Sequence, residues 1–193
     1  MAKPTRRKRP PKRNPRPPLA QRVRQNLPVI RFVGVTSVAL LAMFWLLHQP
    51  AVISALVEPY TAFVASCGRL ALRAVGVQAA GAGEVIASPG FSVSIRNVCN
   101  GLEVTAIFLA TVLAFPVSWR YRLLGLAIGY PAVFVINIVR IVVLFLIGMR
   151  APQLFDDAHY YYAQGFVILA TVAVWLLWIS MYDRFTSRLD LSG

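Results

Sequence analysis

The sequence predicts an all-α integral membrane protein, with about four transmembrane helices, outer-interface amphipathic helices and a short β-hairpin before a cysteine-bearing helix. Three observations predict it. Of its 193 residues 58% are hydrophobic, and the mean hydropathy is +0.62. Apolar runs of near membrane length lie at about 32–47, 100–117, 123–148 and 160–181. Between the first and second of these, Phe91, Val93 and Ile95 alternate with Ser92, Ser94 and Arg96, which is the period of a strand.

The net charge of +13 is unevenly placed: 11 of the 20 Lys and Arg fall in residues 1–31, and no acidic residue precedes Glu58. Residues 1–29 also carry many prolines, so they read as a disordered tail. Clustered positive charge ahead of an apolar run holds a terminus in the cytoplasm and suits anionic lipid headgroups. No folded reading module accompanies the tail, so no nucleic-acid partner is expected. The segment after the first run, "HQPAVISALVEPY", lacks a small-residue cleavage site, which favours a retained anchor over a cleaved signal. The expected organisation is a tail at 1–29, a membrane domain at 30–182 and a short cytoplasmic tail at 183–193.

The first span is expected at about Phe32–Leu47. Ala51–Val77 carries Glu58, Pro59, Arg69 and Arg73, a polarity that suits one or two amphipathic helices lying at the interface. Pro89-Gly90 marks a turn, giving a hairpin over about 84–96. Spans at about Asn100–Val117, Leu123–Gly148 and Tyr160–Met181 complete the set. If Ala51–Val77 does not cross, Arg120, Arg122, Arg184 and Arg188 all share the cytoplasmic side with the basic tail. Both termini are then cytoplasmic, and Cys99 and His159 lie on the opposite face. Leu123–Met149 makes about 40 Å of helix against a hydrocarbon core of about 30 Å. If the excess projects outward, Arg140 reaches the same boundary as Cys99 and His159.

Cys99, Arg140 and His159 are therefore the candidate reactive groups. A guanidinium inside an apolar helix costs several kcal/mol, about 3, unless it is paired or faces a wet cavity. Cys99 stands just before a helix, where N–H groups and a nearby Arg140 favour a thiolate; on position alone it could equally be a small buried hydrophobe. His159 precedes Tyr160, Tyr161 and Tyr162 and could be a simple interfacial residue. Asn100-Gly101 suits a close backbone approach that donates N–H groups, or a plain turn. Glu103 shares the helix face of Cys99 and could orient His159 or neutralise Arg140. Asn137, one turn before Arg140, could orient it. Asp156 and Asp157 read as solvated loop charges, and His48 as a boundary residue. A Cys67–Cys99 disulfide is disfavoured because it would silence the nucleophile. Two cysteines and two histidines form no zinc pattern, and no phosphate-binding Gly-rich loop or G-x-S-x-G elbow occurs. No metal or cofactor is expected.

"CNGLE" at 99–103, "NIVRI" at 137–141, and His159 followed by Gly165 and Phe166 resemble the exosortase/archaeosortase family of membrane transpeptidases. The resemblance covers about 51–182, and the few spans before the hairpin look like the compact subtypes, exosortase H among them. It implies processing of exported proteins at a C-terminal signal made of a motif, an apolar span and a basic cluster. Cys99 would form a thioester, His159 would act as base and acid, and Arg140 would stabilise the oxyanion or position the thiolate. Water or an envelope polysaccharide or lipid acceptor would resolve the thioester. The resemblance also implies a bacterial inner membrane, with the site facing the periplasm. The rival reading is a non-enzymatic transporter-like or assembly subunit in which Arg140 is a structural charge.

Overall fold

A computed structural model describes residues 19–190. Helix α1 (Leu19–Leu47) is joined by His48-Gln49 to a second helical segment. That segment starts at Pro50, passes through a π-turn at Ile53–Val57 and becomes α2 (Glu58–Ala74). Strands β1 (Val85–Ser88) and β2 (Phe91–Ser94) follow. A 3-10 turn at Asn97–Cys99 then leads into α3 (Leu102–Ala114). The long α4 (Trp119–Arg150) follows, and a π-turn at Ala158–Ala163 opens α5 (Gln164–Asp190).

Among the described residues, four helices are long and apolar enough to cross a membrane: Asn26–Leu47, Pro50–Ala74, Trp119–Arg150 and Pro152–Tyr182. This is an all-α multi-pass membrane protein, but the set of long helices differs from the expected one. Pro50–Ala74, expected as one or two amphipathic helices at the interface, is a single helical run. Its two arginines are engaged at the C-terminal end: Arg69 donates to Gly83 O and Val85 O at 3.1 and 2.7 Å, and Arg73 to Ala79 O at 2.7 Å. Conversely α3, at 13 residues, is only about 20 Å long. The tail expected at 1–29 also begins to coil early, since α1 starts at Leu19; residues 1–18 lie outside the described residues. The C-terminal tail expected from 183 is helical to Asp190.

The contacts order the helices. Along α3 and α4, Asn100 meets Asn137, Phe108 covers Gly129, and Arg122 bonds Phe115 O, so the two run antiparallel. Along α4 and α5, Arg140 meets Gln164 while Trp178 Nε1 donates to Tyr121 O at 3.2 Å, again antiparallel. α2 runs the other way: Phe63 stacks on Phe134 and Gly68 abuts Ile141, so α2 ascends beside α4 in the same sense. α1 sets Phe32 edge-on to Phe115, at the end of α3 remote from Cys99. Its outward side, with Val38, Leu41 and Trp45 exposed, is apolar surface suited to lipid.

Two cores result. At the Phe115 end, Phe108, Val112, Val133 and Trp178 join α3, α4 and α5. At the Cys99 end, the hairpin caps the extended tips of α2 and α4, burying Val64, Leu72, Ile86, Ile95, Ile141 and Phe145. The hairpin is the expected one. Its register pairs Ser88 with Phe91 and Val85 with Ser94 across Pro89-Gly90. Gly90 takes the positive φ of 87° that the third position of a type II turn requires. Arg140 stands about 31 Å along α4 from Trp119, one hydrocarbon thickness. With Trp119, Arg120 and Arg122 marking one interface, the hairpin-capped tip of α4 projects beyond the other.

Close contact of α3 with α4 depends on Gly129, where an added Cβ would run into the Phe108 ring. Gly129→Val should cost about 1–3 kcal/mol through overpacking, read as a lower thermal midpoint of the detergent-solubilised protein. Gly165→Ala, with nothing within 4 Å of its added Cβ, should leave the midpoint unchanged.

Candidate active site

Cys99, Arg140 and His159 come together from three elements. Cys99 ends the 3-10 turn before α3, Arg140 belongs to α4, and His159 lies in the π-turn before α5. Cys99 Sγ is 3.3 Å from His159 Nε2, within hydrogen-bond reach for sulfur. The Arg140 guanidinium donates from Nη2 to the backbone carbonyl of Cys99 and lies 3.5 Å from Gln164 Oε1 through Nη1. Only 5% of Arg140 is exposed. Its Nε and Asn137 Oδ1 are buried and make no hydrogen bond among the described residues.

The backbone between Cys99 and α3 is held by a polar relay. Asn100, fully buried, donates from Nδ2 to Thr61 Oγ1 at 2.8 Å and accepts the Leu102 N–H at 2.8 Å. Thr61 donates to Val57 O at 2.7 Å, which ties the turn to α2. Asn137 Nδ2 donates to Asn100 O at 2.7 Å, which ties it to α4. Gly101 has φ 82°, a region costly for residues with a Cβ. A Cβ there would also lie 2.6 Å from Asn137 Cγ. The close approach at Gly101 is thus to Asn137.

The three reactive groups face a cavity of about 350 Å³, lined also by Ser94, Arg96 and Asp156. The Phe155 ring stacks parallel to His159 with centroids 5.8 Å apart, and Tyr160 packs edge-on at 5.1 Å. These rings fix the imidazole plane toward the thiol.

That constellation now stands beside the family comparison. The sequence profile of the transmembrane exosortase family (Exosortase_EpsH) matches residues 30–179. The chain belongs to the transmembrane exosortase family. Nothing among curated proteins or solved structures matches it.

In this exosortase-family chain the surroundings of Cys99 bear on its charge. Burial pushes the Cys99 thiol above its ordinary range; Arg140 opposes the rise, Glu103 adds to it, and Arg96 opposes it. Cys99 sits ahead of α3 in its own short turn, and desolvation there works against the thiolate that a helix terminus favours. Glu103 is in the first turn of α3, and among the described residues it forms no ion pair with Arg140 or His159. Asp156, read as a loop charge, lines the cavity. Cys67 and Cys99 are both free thiols. His48 is exposed, and its Nδ1 lies 2.7 Å from Phe44 O. Among the described residues, no cluster of His, Cys, Asp and Glu could hold a metal ion.

The sequence reading missed Gln164 and Thr61. Gln164 was detectable as an amide inside an apolar run. Thr61 has no local signal, since its partner Asn100 is 39 residues away.

The Cys99 environment predicts a pH dependence. The thiolate is the reactive form, so in a Cys67→Ala background alkylation by N-ethylmaleimide should climb with pH along a curve centred above the ordinary value of about 8.5. Arg140→Gln removes the largest opposing charge and should move the curve further up. Glu103→Gln should move it down.

Proposed function

We propose that this protein is a membrane cysteine transpeptidase that cleaves exported proteins at a C-terminal sorting signal, with Cys99 as nucleophile. The contact between Cys99 Sγ and His159 Nε2, in a cavity that also holds Arg140, carries this reading. Family membership supports the substrate class, an exported protein ending in a motif, an apolar span and a basic cluster.

The chemistry follows from the pair. Cys99 Sγ attacks the scissile carbonyl carbon as its proton passes to His159 Nε2. The carbonyl oxygen becomes an oxyanion, stabilised by the Arg140 charge in surroundings of low dielectric. As the intermediate collapses, the C–N bond breaks and the leaving amine takes the proton from His159. The acyl group remains on Cys99 as a thioester, and the C-terminal span departs. An acceptor hydroxyl or amine, or water, then gives His159 its proton, attacks the thioester and restores the thiol.

Arg140 also positions the nucleophile, since it bonds the Cys99 carbonyl and spans to Gln164. Asn100, Gly101 and Asn137 hold the turn that carries Cys99. With the basic end of the chain in the cytoplasm, the Cys99 end opens on the periplasm of a bacterial inner membrane. The substrate arrives anchored by its own span, and confinement raises its effective concentration at the cavity.

The test co-expresses a reporter bearing the C-terminal tail of an exported protein from the same genome. Cys99→Ala and His159→Ala should abolish processing at unchanged membrane abundance, and the product's intact mass distinguishes transfer from hydrolysis. Undiminished processing by Cys99→Ala would falsify the assignment. Arg140→Lys keeps the charge but not the bidentate fork, and should reduce processing by about tenfold or more.

A further inference from the structure

The two edges of the hairpin are not equivalent. The outer edge of β1 is covered, since Ala80 and Ala87 exchange two backbone hydrogen bonds of 2.8 Å. Residues along an antiparallel strand turn their N–H and C=O alternately toward and away from a given neighbour. With Ala87 turned toward Ala80, its pairing with Ser92 across the sheet is a non-hydrogen-bonded one. Ile95 N donates to Glu84 O at 3.0 Å, which fixes the same alternation at the strand's end. The backbone N–H and C=O of Ser92 and Ser94 therefore point off the far edge of β2, which no described strand covers. Both serines are exposed.

This open edge leads into the site. Val93, Ser94, Ile95 and Arg96 line the cavity that holds Cys99 and His159, and no residue of β1 does. Proteins usually guard an open edge with Lys, Pro or a bulge. Here the outward-facing positions carry two serines and no bulge.

We propose that the free edge of β2 is the docking strand for the substrate: an extended peptide segment bonds through its main chain to Ser92 and Ser94 and runs on into the cavity, where its scissile carbonyl meets Cys99. This rests on the thiol chemistry proposed above. An edge with main-chain donors and acceptors at strand spacing fits an extended peptide. Two serines read no side chain, so discrimination falls to the cavity beyond them. Such a short edge binds weakly by itself, which suits a substrate already held by its own membrane span.

Proline substitution tests the edge, because the Ser94 N–H takes no part in pairing with β1 and proline is tolerated at such positions. In a Cys67→Ala background, Ser94→Pro should keep Cys99 alkylation by N-ethylmaleimide yet lose processing of the tail reporter by about tenfold or more. Ser94→Ala, which keeps the backbone N–H, should lose several-fold less processing than Ser94→Pro. Parental processing by Ser94→Pro, or an equal loss in the two variants, overturns the docking strand. If Ser94→Pro also loses alkylation, the decision passes to the parent protein and synthetic tail peptides N-methylated at single positions upstream of the cleavage point. Impaired cleavage at alternate positions supports the strand, and unimpaired cleavage at every position overturns it. Failure of the thiol chemistry is separately visible, as processing that survives Cys99→Ala.

Discussion

The buried guanidinium of Arg140 is the constraint around which the other elements are arranged. It sits among Ile138, Val139, Ile141 and Val142 on a helix whose neighbours are mostly aliphatic, where an unsatisfied cation costs several kcal/mol, about 3. Its satisfaction comes from neutral acceptors: the Cys99 carbonyl and the Gln164 side chain. One residue therefore ties three segments together, the turn before α3, the middle of α4 and the start of α5. A carboxylate partner would have cancelled the charge. Neutral acceptors hold the group while leaving its positive field in the cavity, where the thiol and imidazole lie.

The excess length of α4 serves the same arrangement. Beyond Arg140, the residues Ile141, Phe145 and Gly148 have no further membrane to cross, and the hairpin covers them. Phe91 packs edge-on to Phe145 with centroids 5.2 Å apart and fits against Gly148. Arg69 and Arg73 of α2 bind carbonyls of the hairpin and the loop before it. The small sheet, too short to be stable alone, is thereby clamped on two helices, and Ser94 and Arg96 reach the cavity beside Cys99. A minimal extramembrane cap suffices because the helices that carry it also carry the site.

Most of the site was legible as chemistry out of place. Cys99, Arg140 and His159 stand out because each interrupts or borders an apolar run, and the strand period at 91–96 stands out because hydrophobic and polar residues alternate. The misread parts share a cause: a residue's polarity says nothing about where its partner is. Arg69 and Arg73 argued against a long helix until the carbonyls they bind were visible. Glu103 had the right spacing to Cys99 for a role toward Arg140, yet Arg140 was already bonded elsewhere. Thr61 and Asn100 are 39 residues apart, and no local pattern announces such a pair.

The raised Cys99 thiol follows from the same economy of charge. A preformed thiolate would need solvation that this half-buried position does not supply, and the strongest nearby cation is engaged with the Cys99 carbonyl as well as facing the site. A protonated thiol 3.3 Å from an imidazole nitrogen needs no such solvation. In the proposed reaction, charge develops when a carbonyl carbon arrives to accept the sulfur's electron pair, and the proton then has only that short distance to travel. Reactivity would in this way be conditional on an occupied cavity. Isolated thiols at the membrane surface lack this restraint and are open to oxidation whenever they ionise. In the proposed mechanism, burial that disfavours the thiolate protects Cys99, while the imidazole 3.3 Å away is placed to take its proton.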